Sequence, residues 1–364
     1  MNLVEKVTVR SSGTINYIFF LIIIFVSSFP LLFFVNNSYG FVGEIEKMDG
    51  TVLYREKAGI PYKKAKKGLT VEKGYWIKTE PKSWAVLKLS DGSTFTLSEN
   101  TEFEINEYVI GDDRKDGLFS VTQGKLRATI TKFTGQTVNY RVKSPTAVAG
   151  VKGTEFMMLT NGQANVFFGN EALAGISGYS REEKPLSPDT MVQNTRGYTP
   201  HDPVKVESGT ALEKAKKGLS DITGQKPPKD WEISGALPHI IARWDINYGH
   251  YLADSGRYDE ALYFFQIALD LSDNPEIRSD ARLERGAVYS RFLRNPELAL
   301  AEYLLILEEY PEVPQKETAL YLTGMTLYEL GFKKQARERL SQYKSLYPQG
   351  KHITNVETLL KLTE

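Results

Sequence analysis

The chain of 364 residues is long enough for about two domains at ~150 residues each, so a single core is not expected. Hydrophobic residues make up 41% and charged residues 25%, which excludes a wholly disordered, collagen-like or polytopic membrane protein. With 45 Lys plus Arg against 45 Asp plus Glu and no cysteine, the composition excludes global steering of nucleic acid, disulfides, thiolate metal sites and cysteine nucleophiles.

Lys6 and Arg10 precede an apolar run from Tyr17 to Val35, and no charged residue lies between Arg10 and Glu44. This pattern predicts export. Residues 1–40 read as a signal peptide with small Ser38 and Gly40 before its cleavage point, or as a retained inner-membrane anchor formed by residues 17–35. On either reading everything after residue 40 is expected in the periplasm or cell envelope, touching membrane only through the N-terminal segment.

From residue 41 the hydrophobic period is two, and turn chemistry punctuates it. Asp49-Gly50, Ser90-Asp91-Gly92-Ser93 and Asn161-Gly162 predict hairpins, with Asp-Gly suited to the pair of positive φ angles of a type I′ turn; Gln123-Gly124 predicts a fourth. Short strands rich in Val, Ile, Thr, Tyr and Phe indicate an all-β sandwich, barrel or solenoid.

The order of Gly68-Leu69, Gly74, Ile77-Lys78-Thr79, Leu87, Leu89-Ser90-Asp91-Gly92-Ser93 and the run Ser144 to Phe156, ending in Gly-Thr-Glu-Phe, resembles a FecR domain over residues 41–168. Lys152 stands where the family has Arg. The resemblance implies a β-domain outside the membrane, either beside a cytoplasmic domain that controls a sigma factor or beside protein-interaction modules. Sixteen residues precede Tyr17, fewer than the ~50 of a small domain, so sigma-factor control is not expected.

No catalytic constellation stands out. Gly150-Val151-Lys152-Gly153 lacks the Lys-Ser/Thr of a phosphate loop. Glu102 and Glu104 share one strand face with nothing to mark a cleft, and Lys63-Lys64-Ala65-Lys66-Lys67 reads as a solvated loop. His201, His239, His250 and His352 show no metal-ligand spacing. The expectation is a non-enzyme without cofactor or metal.

Residues 169–238 are polar and rich in proline, and read as a strand and loop connector. Within it Thr210 to Glu213 fits a capping box and Gly218 a C-terminal stop, predicting a short helix over 211–217.

Over residues 239–350 the period becomes 3.6, and Gly249, Gly286 and Gly324 recur with Ala261, Ala299 and Ala336 and with Pro275, Pro311 and Pro348. Small residues let the two helices of a hairpin approach, while Leu252, Phe265, Tyr289, Tyr303, Leu327 and Leu340 fill the space between them. Gly249, Leu252, Gly256, Tyr258, Ala261, Phe265, Ala268 and Pro275 resemble a tetratricopeptide repeat, the first of three. The middle unit carries Asn295-Pro296 and one extra residue, and residues 351–364 read as a capping helix. The resemblance implies a concave groove for a protein or peptide partner, lined by Arg243, Ile246 and His250, then Leu283 and Ala287, then Tyr321, Met325 and Tyr328. Packing between repeats is the alternative role for these aromatics.

The fold class read from the sequence is thus multidomain, an all-β FecR-like region followed by an α-helical hairpin array. The functional expectation is an exported envelope scaffold with a protein partner in the groove, cell-wall polymer as a further partner of the β-domain, and no nucleic acid. The alternative is a membrane-anchored sensor whose periplasmic β-domain reads an external cue.

Overall fold

The computed structural model describes residues 40–131, 135, 137–151, 155–171 and 174–363. The signal peptide or anchor expected over residues 1–40 lies, up to residue 39, outside the described residues, as do Lys152, Gly153 and Thr154 of the FecR-like motif.

The β region holds strands β1 (Gly43–Asp49), β2 (Val52–Arg55), β3 (Lys63–Lys64), β4 (Thr70–Val71), β5 (Trp76–Thr79), β6 (Trp84–Leu89), β7 (Thr94–Leu97), β8 (Glu102–Ile110) and β9 (Arg114–Thr129). It continues with β10 (Thr137–Lys143), β11 (Val148–Val151), β12 (Glu155–Thr160), β13 (Ala164–Glu171), β14 (Ala174–Ser177), β15 (Glu183–Leu186), β16 (Thr190–Thr195) and β17 (Val204–Lys205). The pairings make a two-sheet sandwich. The first sheet runs β4-β1-β6-β7-β9-β12-β13-β16-β17. The second runs β3-β2-β5-β8-β9-β10-β11-β14-β15. Among the described residues only β9 belongs to both, and only its pairing with β10 is parallel. Between the sheets lies one apolar core in which Phe95, Phe103 and Phe119 stack ring to ring at 4.5–5.8 Å.

Three turns differ from their sequence reading. Gln123-Gly124 is not a hairpin: β9 passes straight through it and changes sheet there, at a Gly124 φ of +120° where a Cβ would collide with Thr101. Asp49-Gly50 joins strands of opposite sheets, forming a sandwich corner pinned by Thr51 N donating to Ser83 Oγ at 2.8 Å. Asn161-Gly162 and Ser90 to Ser93 do close hairpins. At the latter, Gly92 has positive φ and Asp91 does not, so the turn is not type I′. The Asp91 carboxylate instead turns inward, accepting from Ser93 Oγ at 3.0 Å and Tyr140 OH at 2.9 Å beside Lys115 Nζ at 3.3 Å.

Within the strand and loop connector, β14 to β17 are members of the two sheets. After them come helices α1 (Ala211–Ile222), α2 (Glu232–Asp254), α3 (Tyr258–Leu271) and α4 (Pro275–Ala287), the last running into a π-turn at Val288–Phe292. Then follow α5 (Pro296–Glu309), α6 (Lys316–Glu329), α7 (Lys333–Leu346) and α8 (Ile353–Leu362). The capping box starts α1, with Glu213 N donating to Thr210 Oγ1 at 3.2 Å and Gly209 N to Glu213 Oε2 at 2.8 Å. Gly218 does not stop it: Gly218 lies inside the helix because a Cβ there would come within 2.8 Å of Ile233.

Helices α2 with α3, α4 with α5 and α6 with α7 form the hairpins, and each repeat glycine faces one large side chain. Gly249 abuts Phe265, Gly286 abuts Tyr303 and Gly324 abuts Leu340. In the middle unit the π-turn takes up the extra residue. There Arg294 adopts a φ of +51° in the turn where Gly256 (+79°) and Gly331 (+83°) stand in the other hairpins. Gly286→Ala is therefore expected to cost about 1–3 kcal/mol by driving a methyl into the Tyr303 ring. Arg294→Gly should raise stability by about 1 kcal/mol by relieving left-handed strain. Denaturant midpoints at unchanged m-value check both.

Candidate functional site

The outer face of the first sheet is covered by helices. Met157, Leu159, Val166, Phe168 and Met191 share one buried cluster with Leu219 of α1, Ile241 of α2 and Phe264 of α3. Polar contacts fix the fit at its margins. Trp84 Nε1 donates to Gly224 O at 3.0 Å, Lys125 Nζ to Ser234 Oγ at 2.9 Å, and Asn161 Nδ2 to Asp270 O at 2.7 Å. Arg127 donates from Nη1 to Glu155 at 3.0 Å and from Nη2 to Ser220 O at 2.8 Å. Burial of one Phe or Met side chain is worth about 1.5–3 kcal/mol and a typical hydrogen bond about 1 kcal/mol. Apolar area thus supplies the strength of this joint, and the hydrogen bonds its orientation.

Inside the joint sits a polar relay. Asp245 of α2 is fully buried; its Oδ2 accepts from Gln193 Nε2 at 3.1 Å, and its Oδ1 has no hydrogen-bond partner. His201 Nε2 accepts the Gln193 backbone N–H at 3.1 Å, which leaves the ring proton on Nδ1 against Asp202 O at 2.5 Å. Burial holds the Asp245 carboxyl well above its ordinary value of 3.8 and pushes the His201 imidazole down from 6.5 to about 4. The His201 imidazole is therefore neutral around pH 5. Neither was singled out from the sequence, although Asp245, one turn before Gly249, stands on the apolar stripe of α2, which is a readable signal.

The predicted groove residues separate into two sets by helical phase. Ile246, Leu283 and Tyr321 each stand three residues before a repeat glycine. Ile246 is 5% exposed and belongs to the shared core, so it lines no groove. Tyr321 stacks on His352 with ring centroids 4.2 Å apart, and its hydroxyl accepts from Asn355 of α8 at 3.4 Å. This phase packs one unit on the next, which also explains the half-buried Leu283; Tyr328 too is half-buried, one turn beyond Gly324.

Arg243, His250, Ala287 and Met325 hold the other phase. Arg243 pairs with Asp280 of α4, whose other oxygen accepts from Gln315 Nε2 at 2.7 Å. His250 Nδ1 meets Glu284 at 3.0 Å. That hydrogen bond raises the His250 pKa above 6.5. Charge thus straps the first repeat to the second, while Ala287 and Met325 leave the later part of this face apolar and half-buried. Among the described residues no group of His, Asp or Glu could hold a metal ion, and no helix is long and apolar enough to cross a membrane.

The FecR protein family model matches residues 76–170, from β5 into β13. No curated protein matches the chain. Two crystal structures of a candidate anti-sigma factor from Parabacteroides distasonis are similar at TM-scores of 0.33 and 0.32 and identities of 11% and 13%, covering 40% and 39% of this chain. The chain spans 64% of the length of each. The tetratricopeptide-containing C-terminal domain of a Plasmodium falciparum FK506-binding protein aligns at TM-score 0.29 and 18% identity over 35% of this chain and 88% of that one. The first tetratricopeptide domain of human RPAP3 aligns at 0.29 and 20%, over 35% and 96%.

The relay gives a signed pH prediction. With its folded pKa depressed to about 4, neutral His201 contributes stability above pH 6.5 that is lost as pH falls from 6.5 to 4. Asp245, raised, acts in the opposite sense, its folding cost shrinking as pH falls. The two slopes oppose each other. Asp245→Asn removes the opposing carboxyl, so the variant's own stability should fall on acidification from pH 6.5 towards 4, with a slope of up to about 1.4 kcal/mol per pH unit set by His201, measured by urea unfolding. At His250 the raised pKa stabilises below pH 6.5 and is lost as pH rises through its folded value. The melting-temperature gap between wild type and His250→Gln should accordingly close at alkaline pH.

Proposed function

We propose that the protein is a non-catalytic binding scaffold of the cell envelope that holds a protein partner on the concave face of its helical array. The observation that carries this reading is the single apolar core joining the first sheet to α1 through α4. A joint of that kind presents the face built by α2, α4 and α6 at a fixed angle to the sandwich, as a two-part scaffold needs. The last hairpin and α8 have a cluster of their own, Leu320, Leu340, Tyr343 and Val356, without any sheet residue. Export is supported by the charge and apolar pattern of residues 6–35, and the β-region's role as a module outside the membrane by the match over residues 76–170.

The test is in-cell crosslinking and capture from the envelope fraction, with wild type compared against Ala287→Glu combined with Met325→Glu. A captured protein should drop by at least tenfold in the double variant while the melting temperature stays within a few degrees of wild type. Undiminished capture by a folded double variant sinks the groove. Mass spectrometry of the N-terminus in the same sample reads out export, with a chain beginning near Phe41 expected.

A further inference from the structure

A cleft of about 950 Å3 opens between the end of α1, the 223–231 loop and Arg127 of β9. Its cationic lining is Arg127, Lys214, Lys217, Lys226 and Lys229, against Asp221 and Asp230. Asp230 accepts from Glu232 N at 2.8 Å and keeps its charge. Arg127 is spent on Glu155 and Ser220. The ammonium groups of the four lysines have no hydrogen bond or ion pair among the described residues. Elsewhere the chain pairs many of its lysines, as in Lys63 with Glu56, Lys78 with Glu80, Lys88 with Glu46 and Lys344 with Glu357. Even Lys216, between the two cleft lysines of α1, pairs with Asp189. In a chain of balanced charge, four unpaired lysines against Asp221 and Asp230 still leave a local positive excess that a complementary ligand would relieve.

We propose that this cleft docks an acidic, extended segment of a protein partner, which deepens the scaffold reading above and rests on it. Two features favour a peptide over a phosphate or sulfate polymer. The arginine fork that would grip phosphate in bidentate fashion is already occupied, leaving lysines, which act as point charges on flexible stems. Ile233, Pro227 and Pro228 add an apolar wall that a bare polyanion would leave uncovered. Lys214 and Lys217 are neighbours on one face of α1, about 5–6 Å apart at Cβ. An extended peptide presents every second side chain to the same side, about 7 Å apart, within reach of such a pair, and turns the intervening residues to the apolar wall.

The experiment measures fluorescence anisotropy of a labelled ten-residue peptide of alternating Glu and Ala against the full exported chain at low salt, with a Gln and Ala peptide as control. The Glu peptide should bind at least tenfold more tightly than the control. Lys217→Glu with Lys226→Glu should abolish that margin while thermal unfolding remains as in wild type, and Lys217→Gln with Lys226→Gln should reduce it. Equal binding of the two peptides, or an unchanged margin in the folded charge-reversed variant, overturns the proposal. So does displacement of the Glu peptide by short-chain polyphosphate at lower charge concentration than by unlabelled peptide, because the site is then one for phosphate polymers. The groove variant Ala287→Glu with Met325→Glu should bind the peptide normally. Absence of Glu-peptide preference in the wild type with groove capture intact therefore sinks this proposal alone, and the reverse pattern sinks the groove alone.

Discussion

The architecture depends on the first sheet being buried on both faces. One face closes the sandwich core and the other receives α1 to α4, so β12 and β13 are among the most completely enclosed strands of the chain. Were that outer face left to water, Met157, Leu159, Val166 and Phe168 would form an exposed apolar patch of the kind soluble proteins avoid. The helical array is therefore structural cover for the sheet before it is anything else. In return the sheet caps the open end of the array, since a first hairpin with no preceding repeat has an unsatisfied apolar flank.

That mutual cover explains which parts of the fold were legible in the sequence. Repeat glycines are readable because their contact is local: Gly249 and Phe265, or Gly324 and Leu340, lie on neighbouring helices of one hairpin. Strand pairing is not local. Asp49-Gly50 correctly signals a bend, but turn chemistry does not say whether the bent chain returns along its own sheet or crosses to the facing one. Alternation disappears at Met157-Met158-Leu159 and Ala164 to Phe168 because both sides of those strands are buried, and residues 174–205 look like a linker because their strands carry proline and polar residues towards the sheet edges.

Part of the candidate site was legible for a related reason. Helical phase can be counted from the glycines, which puts Arg243, His250 and Met325 on one phase of their helices. Ile246 and Tyr321 sit a fraction of a turn away, close enough to mistake for groove residues, yet one is buried in the shared core and the other packs onto α8. The relay of Gln193, His201 and Asp245 spans two regions 52 residues apart at its longest link, so no window of sequence could reveal it. Nor could one show that Lys214 and Lys229 border the same cleft, which exists only because the 223–231 loop folds back beside α1.

The passage of β9 through both sheets has a consequence in time. Neither sheet can be completed without the strand that completes the other, so the sandwich has no half that forms first, and its many distant pairings make it slow to assemble. The hairpins downstream need only close neighbours and should form quickly once made. Order of synthesis favours the slower partner: the strands emerge before the helices that must cover them, which gives the sandwich a head start. Until α1 and α2 arrive, however, its first sheet has an uncovered apolar face, and that interval is when the chain is most exposed to aggregation.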